Sequence, residues 1–432
     1  MTAEIAILNS YGIALAADSA VTIANKKVYN GADKLFALSK YQPVAIMVYN
    51  DAGFMGIPWE IIIKQYRADL GRTEFPTLIE YADHFWEFIT ETDNVIPQLY
   101  RSEYIAHLAH LYLENVRLTV EKAAEKQISA AGQITAAETL SFLRSTLTEM
   151  SSDILKLDFI VGFDQADTDE ALVLHRPLFD EVLVDELGAL AIELSETEKN
   201  SIFNTIGNLL VRRCFPAQTS GVVFAGYGTT EIFPKIASYI VEGIACNKVR
   251  KILIEDKSNI NNERFVTTIV PFAQDEMVWT FINGVDPHIS QFTLTYLENV
   301  FADYPDALGV APDNIDLAIF GELKLRLQTA SRSLLSQLRL DVKKYQDDVH
   351  RQPILEMVGS LPKDELAAMA ESLVNLTAFK HKISKALQTV GGPIDVAVIS
   401  KGDGFIWVKR KHYFRPELNQ RFFSNYFSQD EQ

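Results

Sequence analysis

The chain begins with two apolar segments separated by a short turn, and this arrangement predicts a β-hairpin. Residues 3–9 read AEIAILN and residues 12–18 read GIALAAD, with the turn-forming run Asn-Ser-Tyr-Gly where they meet. Short apolar runs bounded by turn residues are typical of buried strands. The first predicted strand therefore starts directly after Thr2, and the second ends at Asp18.

Thr2, Asp18 and Lys34 form a regularly spaced set that suits nucleophilic catalysis. Asp18 follows Thr2 by sixteen positions, and Lys34 follows Asp18 by another sixteen. If Met1 is removed, Thr2 carries a hydroxyl nucleophile and a free α-amine, whose ordinary pKa of about 7.7–8.0 lets it act as a base near neutral pH. The charge of Lys34 would favour loss of the hydroxyl proton, and Asp18 would keep Lys34 charged and oriented. Each residue alone also fits an ordinary role, as a frayed terminus, a turn residue and a solvated lysine.

These residues resemble the opening of proteasome β-subunits and of the related bacterial threonine peptidase, which belong to the N-terminal-nucleophile hydrolases. In that family the nucleophile, the aspartate and the lysine have the same offsets. The resemblance continues in the strand VAIMVY at 44–49 and in VVFAGYG at 222–228. It ends with a helix starting LPKDELAAMAESL, followed by VGGPIDVAVI and GFIWVKRKHYF.

The resemblance implies a fold, an activity and partners. The fold would be α+β, a four-layer αββα sandwich of two antiparallel sheets between helical layers, with large helical insertions. The activity would be hydrolysis of peptide bonds through an acyl-enzyme on Thr2, with backbone N–H groups of Asn50 and Asp51 stabilising the oxyanion. No metal or cofactor is expected. The partners would be a polypeptide substrate, further copies in a ring-like homo-oligomer and a separate ATP-driven unfoldase.

Two departures from the family pattern leave other functions open. The family usually has a D-x-x-S-G-G arrangement before its last strand pair, whereas this chain reads LQTVGG, with Leu387 and Val390 at the aspartate and serine positions. Those family residues orient the terminal amine and a water. One alternative is therefore a catalytically inactive, proteasome-like scaffold or binding subunit. Another is an N-terminal-nucleophile amidase that acts on small molecules.

Helical periodicity divides the chain into a core and two elaborations. Apolar residues recur at three- and four-residue spacing from 58 to about 160 and again in 290–303 and 313–350. Thr77 and Thr135 are predicted N-caps, and Glu138 completes a capping box. Further strands are predicted at DFIVGFD, ALVLHR, FVTTIVPF and EMVWTFING. The resulting division is 1–98, 206–289 and 361–432 as core, 99–205 as a mainly helical insertion and 290–360 as a helical elaboration.

Composition narrows the classes of partner and compartment. The net charge of −17 argues against nucleic acid or an anionic membrane as the main partner. Only Cys214 and Cys246 occur, without metal-type spacing, which fits a reducing cytoplasm. The chain has no predicted signal peptide or membrane-spanning run.

His107, His110 and Glu114 would share one face of a predicted helix. This spacing is compatible with the start of a metal site, but no HExxH pattern or further ligand cluster accompanies it. The interpretation we adopt is an ordinary helix surface. Similarly, Phe85, Trp86 and Phe88 are interpreted as helix packing and not as a base-stacking surface.

Overall fold

The computed structural model describes residues 3–23, 27–91, 95–190, 193–259, 267–307, 317–383, 390–421 and 424. The fold is mixed α/β with antiparallel strand pairing. The strands are β1 Ala3–Asn9, β2 Gly12–Ala17, β3 Val21–Ile23, β4 Lys27–Tyr29, β5 Leu35–Ala37, β6 Val44–Asn50, β7 Gly53–Phe54, β8 Ile57–Pro58, β9 Ser220–Gly226, β10 Lys235–Ala245, β11 Lys248–Leu253, β12 Thr268–Ala273, β13 Asp395–Ser400 and β14 Gly404–Lys409. The helices are α1 Trp59–Leu70, α2 Leu78–Glu91, α3 Gln98–Ala131, α4 Ala136–Leu155, α5 Gln165–Leu187, α6 Glu196–Val211, α7 Glu276–Asn283, α8 Pro287–Ala307, α9 Leu317–Gln346, α10 Gln352–Ser360 and α11 Lys363–Ile383.

The chain divides into two compact units. The first comprises residues 1–32, 263–398 and 406–432, and the second comprises 33–262 and 399–405. Each contains a five-stranded sheet. The strand order is β12-β1-β2-β13-β14 in one sheet and β11-β10-β9-β6-β5 in the other. The turn between β13 and β14 belongs to the second unit.

The first unit is organised around the predicted N-terminal hairpin, which the structure confirms. β1 pairs with β2 from Glu4 opposite Ala17 to Asn9 opposite Gly12, and every residue of both strands is buried. Helix α11 packs on these two strands, with Leu366 and Leu373 among its core residues. The hairpin is therefore held inside its unit from its first described residue onwards.

The second unit combines a sheet with two groups of helices. Helices α1 and α2 cover the sheet with an aromatic core that includes Phe85, Trp86 and Phe224, so the predicted packing role of Phe85, Trp86 and Phe88 is confirmed. Helices α3–α6 pack on one another around a core of their own. The predicted capping box of Thr135 and Glu138 starts α4.

Three predicted strands are wrong. EMVWTFIN is helix α7, because Val278 and Ile282, four residues apart, bury one face in the first unit. ALVLHR lies inside helix α5. In DFIVGFD only Phe159 forms an isolated bridge, to Arg212. Apolar and β-branched residues suggested strands here, whereas packing selected helices and a loop.

Candidate functional site

Asp18 fixes the start of the N-terminal strand. The ladder between β1 and β2 ends at Ala17, and the next carboxylate turns back onto the first described residue of β1. Ala3 N donates to Asp18 Oδ1 at 3.1 Å, and Asp18 N donates to Ala3 O at 3.1 Å. Asp18 is 1% exposed. The residue that directly follows Thr2 is thus held at both its N–H and its carbonyl.

A glycine loop closes over the same carboxylate. Gly391 N donates to Asp18 Oδ2 at 2.9 Å, while Ser19 N donates to Gly391 O at 3.2 Å and Ser19 Oγ donates to Pro393 O at 2.6 Å. Gly391 and Gly392 have φ of 151° and 80°, a region that favours glycine. A Cβ at Gly392 would also lie 2.8 Å from Cβ of Asn30. The VGGP turn therefore requires its glycines in order to reach Asp18.

The positions at which the chain departs from the family pattern lie at this loop. Val390 is fully buried and belongs to the hydrophobic core of the first unit. A serine there would place a hydroxyl among apolar side chains, so valine suits the core. Leu387 and Thr2 both lie outside the described residues.

Lys34 and the candidate oxyanion residues belong to the second unit and share one end of its sheet. Lys34 is 6% exposed, and its carbonyl accepts from Val48 N at 2.9 Å. Since Leu35 pairs with Met47, Lys34 lies opposite Val48, and Asn50 follows two positions further along β6. At about 3.4 Å per residue, Asn50 therefore lies about 7 Å along β6 from Val48, the residue opposite Lys34.

The corner after β6 has a defined local structure. Asn50 has a φ of 67°, which asparagine tolerates better than most residues. Asp51 Oδ1 accepts from Gly53 N at 3.2 Å, and Asp51 O accepts from Ser220 Oγ at 3.2 Å. Burial raises the pKa of the Asp51 carboxyl. The corner is therefore held by the side chain of Asp51 and by that of Ser220 at the start of β9.

His381, in the last turn of α11, is a titratable residue that the sequence analysis missed. Burial lowers the pKa of its imidazole, whereas the negative charges of Glu276 and Asp18 act in the opposite direction. An isolated histidine at a helix end carries no motif, so only the fold could reveal its electrostatic link to Asp18.

The structure describes the surroundings of Asp18 and of Lys34 separately. Asp18 is fixed to the residue that follows Thr2, and Lys34 lies near the 50–51 corner. The pairing of Asp18 with Lys34 beside Thr2 stays a prediction, as does the oxyanion role of Asn50 and Asp51.

Of the two α3 histidines, His110 takes part in a surface contact. His110 lies 3.2 Å from Glu186, which also pairs with Arg117, and His107 is exposed. Within the described ranges, no group of three or more His, Cys, Asp or Glu side chains is arranged to hold a metal ion. None of the described helices is both long and apolar enough to cross a membrane.

No known protein-family model and no curated protein matches this chain. Among solved structures, it is similar to Anbu (ancestral β-subunit) from Yersinia bercovieri, with 7% identity, a TM-score of 0.26 and coverage of 100% of this chain and 97% of that one. It is also similar to the helical assembly of the Anbu complex from Pseudomonas aeruginosa, with 8% identity, a TM-score of 0.27 and coverage of 99% and 95%. A third is Anbu from Hyphomicrobium sp. strain MC1, with 10% identity, a TM-score of 0.26 and coverage of 100% and 97%. TM-scores this low assign no family to the chain.

Proposed function

We propose that the chain is an N-terminal threonine hydrolase of proteasome-like fold, with a polypeptide as its substrate. The observation that carries the proposal is the double hydrogen bond between Asp18 and Ala3. It fixes the backbone that directly follows Thr2, and a nucleophile that also supplies the base must be held rigidly. The proposed fold is the four-layer αββα sandwich, elaborated by the two helical regions.

The chemistry would use only groups of this chain. Thr2 Oγ attacks the substrate carbonyl carbon while its proton passes to the free α-amine. The tetrahedral intermediate collapses, the C–N bond breaks, and the amine returns the proton to the leaving nitrogen. An ester on Thr2 remains, and a water activated by the same α-amine cleaves it to release the acid.

Lys34 and the 50–51 corner would stabilise the developing charges. Ala32 N donates to Ser19 O at 3.2 Å, and only Asp33 separates Ala32 from Lys34 along the chain. The role of Lys34 beside Asp18 rests on the spacing of the two residues in the sequence. A backbone donor at Asn50 or Asp51 would contribute about 2.7–4 kcal/mol to transition-state stabilisation.

A peptide boronate adduct, read by intact mass, tests the proposal. The protein without Met1 should gain one adduct on Thr2, Thr2→Ser should retain it, and Thr2→Ala should lose it. If Met1 stays, its peptide bond converts the amine into an amide nitrogen that is no base. A protein that lacks Met1, has its native fold and still gains no adduct would refute the catalytic role.

Lys34→Met tests the charge while keeping most of the side-chain bulk. Since electrostatic groups of this kind contribute about 10²–10³ in rate, the acylation rate should fall by at least about 100-fold. Lys40→Met is the matched control, because Lys40 is exposed and lies six positions away. Equal rates in the two variants would contradict the role of Lys34.

The buried Val390 favours one second candidate, a scaffold subunit without catalysis. The core valine leaves no hydroxyl at the position where the family pattern has its serine. A retained Met1, no boronate adduct and stable self-association together would establish the scaffold.

A further inference from the structure

The hairpin formed by α8 and α9 has many apolar side chains, but few of those described are buried. Among the described side chains at 287–303 none is buried, and at 321–346 only Ser331 and Leu335 are. The two helices nevertheless pack on each other, and Arg339 of α9 pairs with Glu298 of α8. The described side chains of this two-helix element therefore form no core of their own.

Eight of the eleven large apolar residues described as exposed on α8 and α9 form two stripes, whereas Leu323, Leu325 and Leu340 lie outside them. On α8 the stripe residues occur at intervals of three, four and four residues, and on α9 at intervals of four, four and three. Helical residues spaced in this way share one face, as they do in seams between packed helices. The stripe residues are Ile289, Phe292, Tyr296 and Val300 on α8 and Leu334, Leu338, Val342 and Tyr345 on α9.

Most of the α9 stripe and Ile289 of α8 border one groove, whereas Phe292, Tyr296 and Val300 line neither of its cavities. A cavity of about 370 Å³ lies between the helices and is lined by Ile289 of α8 and by Leu338, Val342 and Tyr345 of α9. Further along the same pair, a second cavity of about 310 Å³ is lined by Phe301 and Leu335, among others. Each cavity has room for side chains of another helix.

Charge indicates which surface covers the groove. Residues 321–346 contain six Lys or Arg and two acidic residues, whereas residues 287–303 contain Glu298 and Asp303 and no Lys or Arg. Glu298 pairs with Arg339 of the same hairpin, so the charges that would meet when two hairpins pack antiparallel are Asp303 of α8 and Lys343 and Lys344 of α9. The hairpin is thus complementary to itself. The chain as a whole carries −17, which disfavours an anionic membrane as the occupant.

We propose that two copies of this chain associate through their α8–α9 hairpins and complete a four-helix bundle about a two-fold axis. A two-fold contact requires one patch to be complementary to itself, and this patch is so in both apolarity and charge. The proposal does not depend on the peptidase function. It extends the expected homo-oligomer by naming the surface and its symmetry.

Sedimentation of the full chain from about 0.1 to 100 μM tests the interface. Wild type should dimerise, and Phe292→Ser with Tyr296→Ser should raise the dissociation constant by at least about 100-fold, since buried aromatic residues dominate interface energetics. These side chains are 70% and 59% exposed, so the fold should not depend on them, and circular dichroism checks this. The control is Val173→Ser with Val184→Ser on α5, where both valines are exposed. An equal loss in the control would overturn the proposal.

Cross-linking identifies the surface independently of any mutation. A zero-length carbodiimide applied to mixed ¹⁴N and ¹⁵N protein should give mixed-isotope links from Lys343 or Lys344 to Glu298 or Asp303. Lys343→Glu with Lys344→Glu should weaken the dimer, and high salt should weaken the wild type. A chain that stays monomeric, links that lie elsewhere, or binding to anionic phosphatidylserine vesicles by a monomer would each overturn the proposal.

Discussion

Two helical regions with similar sequence periodicity have opposite relations to solvent. Helices α3–α6 enclose a core in which Leu108, Leu113 and Phe203 are fully buried. Helices α8 and α9 bury little among their described side chains and expose two apolar stripes. The difference shows that apolar periodicity predicts a helix and its apolar face, but not the element that covers this face.

The helical bundle is also tied to the sheet of the second unit by a buried polar cluster. Glu242 of β10 accepts from Tyr104 of α3 and from Arg250 of β11. Arg250 in turn donates to the carbonyls of Leu209 and Cys214. Burial raises the pKa of the Tyr104 hydroxyl, so it stays a neutral donor to Glu242. The bundle therefore has both an apolar core and a buried polar cluster within its own unit.

The largest expected effect comes from a cavity in the bundle core. Phe179 of α5 is 0% exposed and its ring lies 6.0 Å from that of Phe203. Phe179→Ala should lower the free energy of unfolding by about 3–5 kcal/mol, because contacts are lost and a cavity remains. Chemical denaturation followed by circular dichroism measures this.

Val173→Ser on the same helix is the control, since Val173 is 82% exposed. It should change the free energy of unfolding by no more than about 0.5 kcal/mol. Equal effects at the two positions would mean that α5 is covered on both faces, and the contrast with the hairpin would fail.

The next largest effect is expected in the buried ion pair. Glu242→Gln leaves the Arg250 guanidinium without an anion, and both side chains are 0% exposed. The loss should be about 3 kcal/mol in the free energy of unfolding, within the range for broken buried pairs. Asp153→Asn in α4 is the comparison, because its pair with Lys156 is exposed and should contribute under about 1 kcal/mol. A cost for Glu242→Gln as small as that of Asp153→Asn would show that water reaches the cluster.

A third, smaller effect should separate the hairpin from the bundle. If α8 and α9 are covered by a second copy, the melting temperature should rise with protein concentration. At 100 times the dissociation constant, the added free energy of unfolding should be about 2.7 kcal/mol. Phe292→Ser with Tyr296→Ser should abolish this dependence and leave the dilute melting temperature unchanged. A melting temperature that is independent of concentration in the wild type would contradict this expectation.

The sequence predicted some of these features and not others, for physical reasons. The N-terminal hairpin and the Thr135 cap were predictable because strand pairing between neighbours and capping depend on local residues. The α7 segment was mispredicted because its helix depends on burial of Val278 and Ile282 by distant parts of the chain. Similarly, no local pattern could predict that Gly391 reaches Asp18 across 373 positions.

The smallest expected effect concerns the base of the α8–α9 hairpin, at the start of α8, where charged side chains make the contacts. Glu276 of α7 accepts from Lys380 of α11 at 2.9 Å and lies 2.8 Å from Nε2 of His288 at the start of α8. The hydrogen bond from Lys380, followed by the contact with His288, lowers the pKa of the Glu276 carboxyl. Since the folded pKa lies below the unfolded one, this contribution is complete above the ordinary glutamate pKa and is lost as the pH falls through the folded pKa.

Glu276→Gln should therefore cost less than about 1 kcal/mol near pH 7, because the pair is partly exposed and screened by solvent. The difference between wild type and variant should shrink towards zero as the pH falls through the folded pKa of Glu276, and also in high salt. Urea unfolding at several pH values, with circular dichroism as the signal, measures it. A difference that stays constant from neutral to acidic pH would assign the effect to packing. The hairpin would then be anchored in the same way as the bundle, and the contrast between the two helical regions would be reduced to the exposed stripes alone.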